Sequence, residues 1–218
     1  MRINADFSQR VVVRPADSPW LPSPMAGVER RLLDRIGDEV ARATSIVRYA
    51  AGSSFSEHRH PGGEEFLVLE GVFADERGDY PAGSYVRNPI GTRHTPFSRE
   101  GCTLLVKLYQ FDTEDRQPVW IDTGTATWLA GPAPGLQVMP LHQFGSERVA
   151  LQRWAPGTRL DRQRHRGGEE ILVLEGTFQD EHGDYPSGTW LRRPHLAEHS
   201  PFSDAGCLLW VKTGHLPD

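Results

Sequence analysis

The chain has 218 residues, 38% of them hydrophobic and 24% charged, with 22 glycines, 17 prolines and a formal net charge of −5. This ordinary globular composition with many turns favours short strands, and an acidic chain without lysine- or arginine-rich runs argues against a nucleic-acid surface. The apolar runs are strand-sized and the N-terminus lacks an apolar stretch of signal-peptide length, so we expect a cytoplasmic protein with no membrane or nucleic-acid partner.

An internal repeat organises the sequence. The segment from Gly52 to Gly71 returns as the segment from Gly157 to Gly176, at an offset of 105 residues. Each copy has about 100 residues, which is enough to bury its own core. We therefore predict two domains, residues 1–115 and 116–218, divided within the polar segment 112–118.

Short strands are predicted throughout each copy. Their residues are β-branched or aromatic and are bounded by glycine or polar turns. In the first copy the predicted strands are an extra edge strand at 11–13, then 43–49, 65–69, 84–87 and 103–109, with a hairpin at 73–80. No window shows helical periodicity with caps, so the sequence predicts an all-β sandwich or small barrel.

The first copy contains a cluster of potential metal ligands. His58 and His60 are spaced i, i+2, which places both side chains on one face of a strand. The chain then turns at 61–63, Glu64 begins the next strand, and His94 comes from a later strand. Three imidazoles and one carboxylate form a site for a divalent transition metal and leave coordination positions open. Zinc, iron, manganese and nickel all accept this ligand set.

The second copy keeps three of these four residues. His165, Glu169 and His199 recur at the same offset, whereas Gln163 replaces His58. One interpretation is a second, weaker metal site in which the amide oxygen of Gln163 is a neutral donor. The other is a decayed structural site. The sequence thus predicts one metal ion per domain, with the second site open to both interpretations and no catalytic residue identified.

The remaining polar residues have simpler expected roles. Cys102 and Cys207 each open an apolar run, and we expect reduced thiols there. The recurring charged pairs are expected to face solvent: Glu65 and Glu170, Arg87 and Arg192, Lys107 and Lys212. Histidines outside the clusters are expected at the surface: His142, His182, His195 and His215.

These residues resemble the two motifs of the cupin superfamily. The first copy matches the motifs at Gly52, His58, His60, Glu64, Gly71, Gly83, Pro89, Gly91 and His94. The second copy matches at Gly157, His165, Glu169, Gly176, Gly188, Pro194 and His199, and departs at Gln163 and Leu196. The resemblance implies a bicupin, that is, two tandem jelly-roll β-barrels.

The segments 60–71 and 75–83 resemble more narrowly the ChrR-type cupin. In that family the module is part of a zinc-binding anti-sigma factor, which implies a sensory role in transcription control linked to oxidative stress. The same cupin group contains metal-dependent dioxygenases that cleave diketones or hydroxyaryl ketones, which implies the alternative function. The helical, sigma-binding half of ChrR has no counterpart in this chain. A small-molecule ligand in the barrel, a regulatory protein partner and a homodimer are all compatible with the resemblance.

Overall fold

The computed structural model describes residues 1–38 and 40–217, which form two compact units. One unit comprises Met1–Ala5 and Ser18–Ala126, and the other comprises Asp6–Asp17 and Thr127–Asp218. Within the described residues, the helical structure is a single 3-10 turn at Pro15–Asp17. The predicted all-β fold is confirmed. None of the described residues belongs to a helix long and apolar enough to cross a membrane.

Most strands are short, as the many turns predict. Up to residue 126 they are β1 (Arg2–Ile3), β2 (Val11–Val13), β3 (Leu21–Pro22), β4 (Val28–Gly37), β5 (Ala41–Tyr49), β6 (Ser53–Ser54), β7 (His58–Arg59), β8 (Glu64–Asp75), β9 (Gly78–Pro81), β10 (Ser84–Asn88), β11 (Arg93–His94), β12 (Phe97–Ser98), β13 (Cys102–Leu108) and β14 (Val119–Asp122). Beyond it they are β15 (Leu129–Ala130), β16 (Leu136–Phe144), β17 (Glu147–Trp154), β18 (Thr158–Arg159), β19 (Gln163–His165), β20 (Glu169–Asp180), β21 (Gly183–Pro186), β22 (Trp190–Arg193), β23 (Ala197–His199), β24 (Phe202–Ser203) and β25 (Cys207–Thr213).

The first unit is built around the long strand β8. Its first half lies in an antiparallel sheet with the order β1-β4-β5-β13-β8-β10-β14. Its second half pairs with β9 and β12, and β12 also pairs with β6. A strand that passes from one sheet into another closes a sandwich at its corner. The separate ladder of β7 and β11 carries two of the four predicted metal ligands, His58 and His94.

The second unit repeats this arrangement. Its main sheet has the order β15-β16-β17-β25-β20-β22-β2, and β19 pairs with β23 as β7 pairs with β11. Strand β2, the edge strand predicted at 11–13, pairs with β22 and so belongs to this unit. In the first unit the equivalent edge position is taken by β14, which pairs with β10.

The predicted domain boundary lies between residues 115 and 116. The compact units of the structure differ from this division in two segments. The segment Asp6–Asp17 lies in the second unit, and 116–126 lies in the first. The physical reason is that β10 and β22 each need a backbone partner on their outer edge, since an unpaired edge leaves amide and carbonyl groups without hydrogen bonds. Each partner strand comes from outside the matching repeat.

The two hydrophobic cores correspond position by position. Ten buried residues form each cluster, and nine of the ten pairs lie 105 residues apart. The first cluster is Val28, Tyr49, Phe66, Val68, Phe73, Tyr80, Val86, Cys102, Leu104 and Val106. The second is Leu136, Trp154, Ile171, Val173, Phe178, Tyr185, Leu191, Cys207, Leu209 and Val211. Both cysteines are free and buried, as expected.

A motif glycine in each unit permits close approach of two strands. Gly71 and Gly176 have φ angles of 71° and 70°. A Cβ atom at either position would lie 2.1 Å from a backbone carbonyl oxygen, that of Gly101 or Gly206. Only glycine satisfies both constraints, because it lacks a side chain and adopts positive φ without strain.

The outer face of the first main sheet is buried, so the expectation of solvent exposure there is wrong. Glu65 is 1% exposed and accepts hydrogen bonds from the Tyr85 hydroxyl at 2.9 Å and Arg87 Nη1 at 3.1 Å. The Arg87 guanidinium also donates to Asp115 at 2.7 Å and lies 4.0 Å from the centre of the Phe111 ring. The segment after β13 therefore covers this face and contributes part of a buried ionic network. Lys107, likewise expected at the surface, is fully buried.

The corresponding face of the second unit is covered by its N-terminal segment. Arg192 is fully buried, lies 4.5 Å from the centre of the Phe7 ring and donates a hydrogen bond to the Asp6 carbonyl at 2.9 Å. Glu170 is fully buried and lies 3.1 Å from Nε2 of His215. The expected exposure of these residues is therefore wrong, as it is for Lys212 and His142, which are also buried.

Candidate metal centre

Two neighbouring short strands place the first cluster. β7 begins at His58 and pairs with β11, so that His58 lies opposite His94. His60 directly follows β7, and Glu64 is the first residue of β8 after the turn at 61–63. One ligand atom from each of these four residues lies within 4.8 Å of the others. The structure thus brings together all four ligands predicted for the first site.

The Glu64 carboxylate lies beside two buried imidazoles. Its Oε2 is 3.5 Å from Nε2 of His60 and 3.6 Å from Nε2 of His94. The same oxygen accepts a hydrogen bond from Nδ2 of Asn88 at 3.0 Å. The three histidine rings have centroid separations of 4.7 to 5.0 Å. Nitrogen and oxygen donors therefore surround one small volume.

Hydrogen bonds set the tautomers of two of the histidines. Nδ1 of His58 lies 2.9 Å from the carbonyl oxygen of Ser56, and Nδ1 of His94 lies 3.1 Å from Oδ2 of Asp75. Both partners are acceptors when Asp75 is ionised, so each Nδ1 carries the proton. Nε2 of each ring then keeps its lone pair, which is the arrangement found in metal-binding histidines.

The third histidine has the same tautomer for a related reason. The Thr92 hydroxyl donates its proton to the Pro89 carbonyl at 2.7 Å, so it can only accept from Nδ1 of His60, which lies 3.1 Å away. Nε2 of His60 and Nε2 of His94 are buried and have no hydrogen-bond partner. Buried polar atoms are rarely unpaired without a reason. The two nitrogen lone pairs and the carboxylate that they face form a donor set that fits a bound cation.

The pKa shifts of His60 and Glu64 favour the forms that bind a metal ion. Burial lowers the pKa of His60, which favours its neutral form. Burial alone would raise the pKa of Glu64, but His60, His94 and the Asn88 hydrogen bond outweigh it and leave this pKa lowered. Burial likewise opposes the charged form of His94, whose pKa is nevertheless raised by Asp75 and Glu64. A neutral imidazole and an ionised carboxylate are the forms that bind metal.

The second cluster occupies the equivalent strands. Gln163 lies opposite His199 in the β19–β23 ladder, as His58 lies opposite His94. Glu169 has carboxylate oxygens 3.7 Å from Nε2 of His165 and 3.5 Å from Nε2 of His199. Ligand atoms of these three residues lie within 4.8 Å of one another. The structure therefore groups His165, Glu169 and His199 and places Gln163 at the register position of His58.

Several residues that support the clusters were not predicted from the sequence. Asp75 and Asn88 contact the first cluster, and Asp180 and Arg193 hold the equivalent positions in the second. The internal repeat contained the signal for these supporting residues, because each one in the first unit lies 105 positions before its counterpart in the second. The change from Asn88 to Arg193 introduces a charge at an aligned position beside a predicted ligand.

The cavities beside the two clusters differ in size. The first measures about 320 Å³, and His58, His60 and Glu64 line it together with apolar side chains. Its apolar wall includes Val28, Phe55, Phe66, Phe73, Leu104 and Val106. The second measures about 70 Å³ and is bordered by Trp154, which takes the position of Tyr49. Only the first of these two cavities has room for an organic molecule beside the donor atoms.

The motif loop of the second unit is strained. Leu196 replaces the motif glycine and has a φ angle of 60°, whereas Gly91 in the first unit has 89°. A leucine rarely adopts this left-handed conformation, because its Cβ crowds the backbone. Neighbouring His195 is half-buried, and its Nδ1 accepts a hydrogen bond from the Gly167 amide at 3.0 Å.

Comparison with solved structures shows cupin-fold proteins over nearly the whole chain. A candidate dioxygenase from Nostoc punctiforme is 16% identical with a TM-score of 0.80, covering 97% of this chain and 85% of that one. A bacterial pirin from Escherichia coli, in complex with nickel(II), is 15% identical with a TM-score of 0.68, covering 96% and 99%. An oxalate decarboxylase variant from Bacillus subtilis is 13% identical with a TM-score of 0.62, covering 93% and 76%.

These structures share the fold with this chain, and the prediction of two tandem cupin barrels is confirmed. No curated protein matches the sequence. The family profile of the ChrR Cupin-like domain matches twice, over residues 8–112 and 116–217. The two matches cover almost the whole chain. The protein therefore belongs to the ChrR Cupin-like domain family and contains that domain in duplicate.

Proposed function

We propose that the first unit binds one divalent transition metal ion through His58, His60, Glu64 and His94 and is a dioxygenase for a small, largely apolar ketone. The observation that carries this proposal is the apolar cavity of about 320 Å³ that reaches three of the four ligands. A structural metal site is closed by protein ligands, whereas a catalytic site stays open to substrate. An open cavity at the donor atoms therefore favours catalysis.

A bound metal ion would supply Lewis-acid polarisation of a substrate oxygen atom and coordination positions beyond those of the protein. The chain itself contributes orientation and exclusion of water. Phe66 and Phe73 are 2% exposed and form part of the cavity wall. Such a wall holds the apolar part of a diketone or aryl ketone with its carbonyl groups towards the histidines.

Tyr49 is the chain's candidate hydrogen-bond donor to the substrate. It lines the cavity, and burial together with the neighbouring Glu64 raises the pKa of its hydroxyl well above the usual range. The hydroxyl therefore stays protonated at neutral pH and can donate to a substrate oxygen. In the second unit Trp154 stands at this position and donates to Gln152 at 3.2 Å.

Tyr109 lines the cavity and has a left-handed backbone conformation that is unfavourable for a tyrosine. It is 43% exposed and has a φ angle of 62°, whereas Gly214 at the equivalent position has 76°. Strained residues concentrate at functional sites. We assign Tyr109 to the recognition of the aromatic or alkyl end of the substrate. Replacing Tyr109 with glycine should raise KM more than it lowers kcat.

Oxygen uptake tests this function directly. Protein loaded anaerobically with ferrous iron should consume one O₂ per ketone cleaved, because both oxygen atoms enter the two product fragments. His94→Ala should abolish uptake together with metal binding, whereas Tyr49→Phe should keep the metal and raise KM. Absence of uptake across a panel of β-diketones and hydroxyaryl ketones, by protein that contains metal, would refute the proposal.

A second candidate is a sensory module, favoured by the family match over both halves of the chain. In this case metal oxidation or ligand binding would change the surface presented to a regulatory protein partner. The test is complementation of a gene deletion under oxidative stress. Wild-type protein should restore the transcript pattern and His94→Ala should not. Full restoration by His94→Ala would exclude a metal-dependent sensor.

A further inference from the structure

Arg193 in the second unit takes the position that Asn88 has in the first. Each residue ends the strand beside the cluster carboxylate and lies opposite it in register: Asn88 opposite Glu64, and Arg193 opposite Glu169. Nδ2 of Asn88 donates to Glu64 at 3.0 Å, and Nη1 of Arg193 donates to Glu169 at 2.8 Å. A neutral amide in one unit is thus a full positive charge in the other.

The same guanidinium makes a second ionic contact within the cluster. Nη2 of Arg193 donates to Oδ2 of Asp180, the counterpart of Asp75. Asp75 lies 3.1 Å from Nδ1 of His94, but Asp180 is 3.7 Å from Nδ1 of His199. The aspartate that orients a ligand histidine in the first unit is therefore paired mainly with arginine in the second.

The histidine donors of the second unit are also used differently. Nε2 of His165 and Nε2 of His199 lie 2.8 Å apart, so one ring donates a hydrogen bond to the other. In the first unit, Nε2 of His60 and of His94 have no such partner. With Gln163 in place of His58, the second cluster has fewer free lone pairs.

The positive charge of Arg193 determines whether a metal ion fits the second cluster. The Arg193 side chain is 2% exposed, and its guanidinium carries a positive charge. Two buried carboxylates, Glu169 and Asp180, need a compensating positive charge, and the guanidinium provides one with hydrogen bonds to both. A divalent cation at the same carboxylate would face a fixed like charge in a poorly solvated interior. The residues of the second cluster do not fit a metal ion.

We propose that Arg193 is a built-in cation that replaces the metal ion of the second unit, so that this unit folds around an internal ionic network and binds no metal. The change of Asn88 to Arg193 and the change of His58 to Gln163 then act together: one supplies the charge, and the other removes a ligand. This inference concerns the second unit and does not depend on the reaction of the first.

The test isolates the second unit by removing two ligands from the first, which leaves the first cluster a single imidazole, that of His58. His60→Ala/His94→Ala is incubated with Ni(II), Zn(II), Mn(II) or anaerobic Fe(II), dialysed and analysed for metal. We expect no stoichiometric metal in this variant. Adding Arg193→Asn and Gln163→His rebuilds the first-unit donor set in the second unit and should give one metal ion per chain. Metal bound by His60→Ala/His94→Ala while Arg193 is intact would overturn the proposal.

The reverse exchange is made in the first unit, so its result does not depend on correct folding of the rebuilt second site. Asn88→Arg in the otherwise wild-type chain should lower first-unit metal content at least tenfold, whereas Asn88→Asp, which adds no positive charge, should retain metal. Unchanged metal content in Asn88→Arg would contradict the proposal. A wild-type chain without any metal would instead refute the proposed function of the first unit, so the two failures are distinguishable.

Discussion

The Asp75 carboxylate lies 3.1 Å from Nδ1 of His94, on the opposite side of the ring from the nitrogen that faces Glu64. This contact sets the tautomer of His94 and increases the basicity of the ligand nitrogen. Asp75 therefore belongs to the candidate metal centre although it is not one of the four proposed ligands.

Asp75→Asn should weaken metal binding by about 10- to 100-fold, the usual effect of losing such a supporting carboxylate. Competition with a chelator of known affinity measures the change. Asp180→Asn is the matched control and should leave the metal affinity of the chain unchanged. Equal metal affinity of wild-type protein and Asp75→Asn would show that this contact has no role at the centre.

Leu196→Gly should raise the free energy of unfolding by about 1 kcal/mol, because it removes the cost of a left-handed leucine. Gly91→Ala is the matched change in the first unit and should lower it by about 1 kcal/mol. A Cβ atom at Gly91 would meet no atom within 4 Å, so that variant reports backbone conformation alone. Urea unfolding measures both. A clear loss of stability in Leu196→Gly would mean that packing of the leucine outweighs the strain.

Arg87→Met should lower the free energy of unfolding by about 3–5 kcal/mol, because it removes a cation that pairs with the buried carboxylates of Glu65 and Asp115. Arg48 is the comparison, since its ion pair with Glu29 joins side chains that are 45% and 42% exposed. Arg48→Met should cost less than about 1 kcal/mol. Similar losses in the two variants would argue that the buried network contributes no more than a surface pair.

Both cysteines should be unreactive in the folded protein. Burial raises the pKa of the Cys207 thiol to about 11 and also raises that of Cys102. A raised pKa keeps the thiol protonated at pH 8, and only the thiolate reacts with alkylating reagents. Alkylation at pH 8 should be at least about 100-fold slower than in urea, where thiols have their ordinary pKa of about 8.5. If the native protein were alkylated as fast as the protein in urea, the burial of the two thiols would be contradicted.

The fold and the first cluster were predictable because their signals are local. The spacing of His58, His60 and Glu64 sets which side chains share a face, and the glycines at positive φ mark the turns. The offset of 105 residues then transfers the pattern to the second half.

The errors arose where the outcome depends on distant segments. Strand alternation places Glu65 and Glu170 on the face away from the cluster, but it cannot show whether another segment covers that face. The segment after β13 covers one of them, and the segment at 6–17 covers the other. The role of Arg193 required its distances to Glu169 and Asp180, which sequence spacing alone does not provide.

The most direct test of the central claim is anomalous X-ray scattering, at the metal absorption edge, from crystals of the metal-loaded protein. We expect one peak per chain, within bonding distance of His58, His60, Glu64 and His94. Absence of a peak there, or a peak of equal height beside His165, Glu169 and His199, would contradict the account.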